Sequence, residues 1–235
     1  MSLVLTLNLK SISQVSLVAF IAANLTACFS VTDSSVEKKY VAQPLAYQQL
    51  LPRQQVNNPW FQQGVMSLQK KMQNPALRHS LSKARNVILF VGDGMGVSTV
   101  SAARILQGQI AGGAGEENLL SFEKFPFSGF SKTYNVNQQT PDSAGTMTAM
   151  MAGIKTDAGV LSVDEHGNRG DCTSAKKRGV TTLLELAKQA GKAAGIVTTA
   201  RITHATPAAA YAKSPERDWE NDGELSPEAK AAGCI

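Results

Sequence analysis

The chain is poor in several features that would otherwise classify it. Aromatic residues make up 6% of its 235 residues, and its basic residues form no long runs although the net charge is +5. A mildly basic soluble surface is therefore the better reading, and no nucleic-acid partner is expected. No internal repeat or low-complexity tract occurs. The apolar run Val15–Ala23 is too short to span a bilayer, which needs about 20 residues. The glycine-rich Gly92–Gly96 lacks both the G-x-G-x-x-G spacing and a Walker-A lysine, which argues against a dinucleotide or P-loop site. Asp142-Ser143-Ala144-Gly145 lacks the leading glycine of the G-x-S-x-G elbow, which disfavours a serine esterase. What the chain does have is apolar material, 43% of residues. That suffices for a real core in one large domain or two small ones.

Residues 1–28 contain no acid and one base, Lys10, ahead of Val15–Ala23. This pattern suits a secretory signal. Leu25-Thr26-Ala27-Cys28 follows and resembles the lipobox of bacterial lipoproteins, in which the cysteine becomes the lipidated N-terminus. Phe29 rather than Asp follows it, which in that pattern points to the outer membrane. The expectation is an exported chain, anchored by lipid on Cys28 and facing the periplasm or cell exterior. Residues 29–59 read as a polar tether. Cys172 and Cys234 remain, and in an exported chain they are either oxidised as a pair or separately buried.

Trp60–Met72 spaces apolar residues at helical intervals and predicts an amphipathic helix outside the core. The body begins at Asn86. Val87–Val91 is a continuous β-rich run of the kind buried on both faces of a parallel sheet, and it breaks at Gly92. Val97–Leu106 predicts a helix and Phe127–Tyr134 a strand. Asp164–Gly167 predicts a turn, Thr181–Gln189 a helix ending at Gly191, and Ala194–Thr199 another buried strand. Alternating strands and helices predict an open α/β sheet with its site at the carboxyl ends of the strands. That rule selects Asp93, Ser143 and the segment Arg201–Pro207. Together they offer a carboxylate, a nucleophilic hydroxyl, the imidazole of His204 and the hydroxyl of Thr206, a plausible metal-and-nucleophile set.

The segment Thr140–Ala149 is the focus. Pro141 is a poor helix interior residue and Ala144–Met151 are mostly good helix formers, so a helix should start at Ser143. Unpaired backbone N–H groups and the positive end of the helix dipole then meet there, favouring a phosphate oxygen or the serine's own alkoxide. An ordinary helix cap is the alternative.

The segments Asn86–Arg104, Ser131–Val136, Pro141–Ala149 and Val197–Arg217 together resemble alkaline phosphatases. The likeness runs from Trp60 onward and is nearest the branch with His where other members have Asp. The resemblance implies a three-layer αβα sandwich, two zinc ions and one magnesium, and hydrolysis of phosphate monoesters through a covalent phosphoserine on Ser143. It implies that Asp93 bridges zinc and magnesium, that Ser143 also meets a zinc, and that His204 and Thr206 are magnesium-shell ligands. Asp142 lies beside the nucleophile with its role open. Arg217 becomes the clamp on two phosphate oxygens, where its neighbours Glu216, Asp218 and Glu220 would otherwise suggest a solvated arginine. The resemblance also implies a Cys172–Cys234 disulfide and a homodimer when complete. Family members run on past this length and take most zinc ligands from that later part, and neither His79 nor His166 replaces them. The expectation is therefore a truncated N-terminal portion of the catalytic domain (60–235) with an incomplete central sheet, inactive alone. The alternative is a non-catalytic lipoprotein that keeps the front half of the fold.

Overall fold

The computed structural model describes residues 49–73, 86–125 and 128–234. These belong to the unit Tyr47–Ile235. Cys28 with its signal segment, His79 and Phe127 lie outside the described residues.

The first helices are α1 (Arg53–Val56) and α2 (Pro59–Met72). Residues 53–59, expected at the end of the tether, instead pack on the body. Gln55 is buried, its amide donates to the carbonyls of Ala152 and Thr181, and its Oε1 accepts from Thr181 N–H. Asn58 caps α2 by accepting from Trp60 N–H at 2.9 Å, and Pro59 occupies the first helical turn, where no donor is needed. Trp60 and Phe61 of α2 pack on the cluster Ala152, Ile154 and Val180. The rest of α2 faces outward, as its amphipathic pattern predicts.

Next comes α3 (Val97–Ile110), one turn longer than its apolar pattern suggested, and a 3₁₀ turn at Ser121–Lys124. The central element is α4 (Ser143–Ala152), capped by Asp142 and ended by Gly153 in the left-handed region at φ 71°. Its inner face, Ala144, Met147 and Met151, packs on Leu161 and on Ala205, Ala208, Ala209 and Ala210. The alanines of α7 (Ala205–Ala208) let it approach α4 closely. Burying each methionine contributes about 1.5–3 kcal/mol.

Between them lie α5 (Cys172–Ala175) and α6 (Leu183–Gln189). A reciprocal Thr182–Glu185 capping box opens α6, and Gly191 follows its end at φ 72°. The last helix is α8 (Pro227–Ala231). Cys172 and Cys234 are joined as a disulfide with Cα atoms 5.5 Å apart, beside Leu225 and Ala229.

The predicted sheet is not formed among the described residues. Only two isolated antiparallel bridges occur there, Leu161 with Ser214 and Val163 with Gly179. Residues 87–91, 128–134 and 194–198 carry no ladder. Phe90 is 90% exposed and Val197 fully exposed, although both belong to runs expected to be buried. The physical reason is that a strand depends on hydrogen bonds to a neighbour's backbone, and none of these runs is paired in that way among the described residues. The runs nonetheless position the site, since Val91 and Ile196 pack on the α4–α7 cluster.

Candidate active site

The site begins with the cap of α4. Asp142, not Ser143, takes the capping position and leaves the serine oxygen free of helix duties. Asp142 Oδ1 accepts from Gly145 N–H at 3.0 Å and Asn135 Nδ2 at 2.9 Å. Oδ2 accepts from Gly159 N–H at 2.9 Å and Arg217 Nη1 at 3.0 Å. Burial alone would raise this carboxyl's pKa, but the four donors outweigh it and hold the group below its ordinary 3.8. Asp142 is thus ionised at neutral pH and fixed from four sides.

Arg217 reads out that fixed carboxylate. Its backbone N–H donates to Gly159 O at 2.8 Å, and its Nη1 donates to Asp142 and, at 3.2 Å, to Ser143 Oγ. Its Nη2 lies 3.4 Å from His204 Nε2. Among the described residues no side chain accepts the Ser143 proton. His204 meets Arg217 rather than the serine, so no Ser–His couple of the esterase kind is present there.

His204 begins α7 as its cap, with Nδ1 facing Thr206 N–H at 3.4 Å. The same Nδ1 lies 3.8 Å from Asp93 Oδ2, and Thr206 Oγ1 donates to that oxygen at 3.0 Å. Asp93 sits in the turn before α3, where Gly94 adopts φ 65°. Three segments far apart in sequence therefore converge: the turn at Asp93, the start of α4, and the stretch from His204 to Arg217. Cys172 and Cys234 belong to a separate packing cluster.

Asp93, Thr206 and His204 offer a carboxylate, a hydroxyl and an imidazole around one oxygen, which fits part of an oxygen-rich shell for a hard divalent cation. It is only part of one. Among the described residues no group of three or more His, Cys, Asp and Glu side chains could hold a metal alone.

Sequence reasoning passed over the parts that hold these groups still. Asn135 is buried and its amide locks Asp142; a Cβ at Gly145 would overlap the Asn135 amide oxygen. Gly159, at φ 82°, touches both Asp142 and Arg217 through its backbone, and a Cβ there would overlap the Arg169 guanidinium. The available signal was a glycine closely following Asp157, which asks for a backbone conformation other residues resist.

Comparison with known proteins shows the family. The family model described as alkaline phosphatase matches residues 84–235. The tissue-nonspecific alkaline phosphatases of mouse and human are each 50% identical over 175 residues, covering 74% of this chain and 33% of theirs. Alkaline phosphatase of the cod Gadus morhua is 49% identical over 177 residues, 75% of this chain and 36% of its own. The chain thus spans about a third of the length of the curated relatives it matches. Among solved structures, a cold-active alkaline phosphatase from Shewanella sp. is 32% identical with a TM-score of 0.45, covering 55% of this chain and 30% of that one. The matched region contains Asp93, Asp142, Ser143, His204, Thr206 and Arg217, and the chain belongs to the alkaline phosphatase family.

Proposed function

We propose that this chain supplies the nucleophile, Ser143, and the phosphate clamp, Arg217, for hydrolysis of phosphate monoesters. The observation that carries the reading is Arg217 Nη1, which donates to Ser143 Oγ while anchored on Asp142. A cation on the serine oxygen favours its ionised form, and the N-terminus of α4 adds a positive end to the same place. Ser143 Oγ would lose its proton to solvent and attack phosphorus as the ester O–P bond breaks, giving a phosphoserine and an alkoxide that takes a proton from solvent to leave as the alcohol. Water would then cleave the phosphoserine and release inorganic phosphate. Arg217's planar fork suits two oxygens of the transferring group, and Asp142 keeps that fork aimed. Small neighbours, Ala144 and Gly145, leave room for a tetrahedral group.

The family's chemistry is metal-dependent, and a variant of the Antarctic TAB5 enzyme was solved with Mg bound in its M3 site. Asp93, His204 and Thr206 would hold part of a magnesium shell here, with Asp93 and Ser143 also meeting a zinc. Such ions would lower the pKa of the serine hydroxyl and stabilise the leaving oxygen. Because the described residues supply an incomplete shell, the 235-residue chain alone should turn over p-nitrophenyl phosphate negligibly. Residues 84–235 grafted into a full-length relative should restore zinc- and magnesium-dependent turnover, and Ser143→Ala in the graft should abolish it. A graft with intact metal content whose turnover survives Ser143→Ala would overturn the reading.

The N-terminal segment supports export with a lipid on Cys28, facing the periplasm or cell exterior. Mass spectrometry of the membrane fraction should find diacylglycerol there. A soluble protein with a free Cys28 thiol would contradict the anchor.

A further inference from the structure

Arg217 stands in acidic company, between Glu216 and Asp218 with Glu220 three residues on. A guanidinium that has to bind a phosphate dianion should not be neutralised by its own neighbours. Two other arginines deal with those neighbours. Arg169 takes Glu216 with a two-pronged contact, Nε to Oε2 at 2.8 Å and Nη2 to Oε1 at 2.8 Å. Arg201 takes Glu220 the same way, Nε to Oε2 at 2.8 Å and Nη2 to Oε1 at 2.5 Å, and Thr203 Oγ1 adds a third donor at 2.6 Å. Arg169 also reaches Asp218 at 3.4 Å, whereas Arg217 Nε is 3.9 Å from that carboxylate. Asp218 is 75% exposed, so solvent screens it. The glutamates are turned inward, Glu216 16% and Glu220 18% exposed.

We infer that Arg169 and Arg201 are positioning residues that mask Glu216 and Glu220, leaving Asp142 as the carboxylate hydrogen-bonded to the Arg217 fork and the rest of that fork for a phosphoryl dianion. The inference rests on Arg217 being the phosphate clamp. Both masking groups act through other residues. Arg169 lies against Gly159, whose backbone holds Asp142 and Arg217, and the Arg201–Thr203 segment leads directly into His204. A merely structural role is the alternative. Arg201 is 68% exposed, however, so its removal opens no core cavity.

The test is calorimetric titration of inorganic phosphate into the protein. Arg169→Met and Arg201→Met should each weaken binding roughly fivefold, the scale of one unmasked charge near a surface. Arg201→Lys, which keeps the charge, should stay near wild type. The double variants Arg201→Met/Glu220→Gln and Arg169→Met/Glu216→Gln should recover most of the loss, because the exposed carboxylate is gone. Lys176→Met removes a cation elsewhere and should change nothing. Unchanged binding in both methionine variants would overturn the inference, as would a loss that the double variants do not recover or that Lys176→Met reproduces. If instead Arg217→Ala binds phosphate as tightly as wild type, the reading of Arg217 itself fails.

Discussion

Asp142 concentrates the site's geometry in one side chain, so substitutions there and at its partners are the most informative. Asp142→Ala removes a helix cap and leaves buried donors unpaired, and should cost about 2–4 kcal/mol in urea unfolding. The pH dependence has a definite sign. The folded pKa lies below 3.8, so its stabilisation is fully present above that value and is lost as pH falls through the folded pKa. The gap in urea midpoint between wild type and Asp142→Asn should therefore narrow as pH falls below 3.8. A gap that stays constant would remove the ionic account. Gly145→Ala sets two effects against each other. Helix propensity favours alanine by about 1 kcal/mol. The new Cβ would overlap Asn135, a buried side chain already tied to Asp142, at a cost of about 1–3 kcal/mol, and the variant should be net destabilised. A stabilised variant would mean that Asn135 can move. Arg217→Ala should weaken phosphate binding by about 1.5–3 kcal/mol, the range for a hydrogen bond to a charged group, with metal content unchanged.

Among the elements, α4 was legible because its start is written locally, in Pro141, a capping Asp142 and a run of good helix formers. The turn at Asp164 and the end of α6 at Gly191 were legible for the same reason. Asp93, Ser143 and the His204–Thr206 stretch were selected as the residues just past apolar runs; in the structure Asp93 meets His204 and Thr206 directly, and Ser143 is linked to His204 through Arg217. The sheet was not legible in the same sense. Val87–Val91 expresses only a demand for burial and extended backbone, while a ladder needs a partner that no local pattern names. The braces were missed because Asn135 and Gly159 act through an amide and a backbone N–H, which leave no mark of charge or periodicity. The disulfide joins α5 to the end of α8 across 62 residues. Loop closure on that scale stabilises by about 4 kcal/mol. Cys234→Ser should therefore lower the non-reducing thermal midpoint markedly, while leaving wild type and variant alike once reduced.

Among the described residues, the segments that carry the candidate site also carry exposed apolar residues, notably Val87, Ile88 and Phe90 shortly before Asp93. No helix among the described residues is long and apolar enough to cross a membrane. On the proposed reading, Arg217 is left to clamp phosphate because Arg169 and Arg201 pair with Glu216 and Glu220, and Ser143 is left to attack because Asp142 caps the helix in its place. All of this converges on one oxygen. The most direct measurement is a single-turnover reaction with a radiolabelled phosphate monoester, quenched in acid and mapped by peptide, using residues 84–235 within a full-length relative. The account predicts label on Ser143 alone and none in Ser143→Ala. Label on Thr146 or Thr148, or equal labelling of wild type and Ser143→Ala, would contradict it.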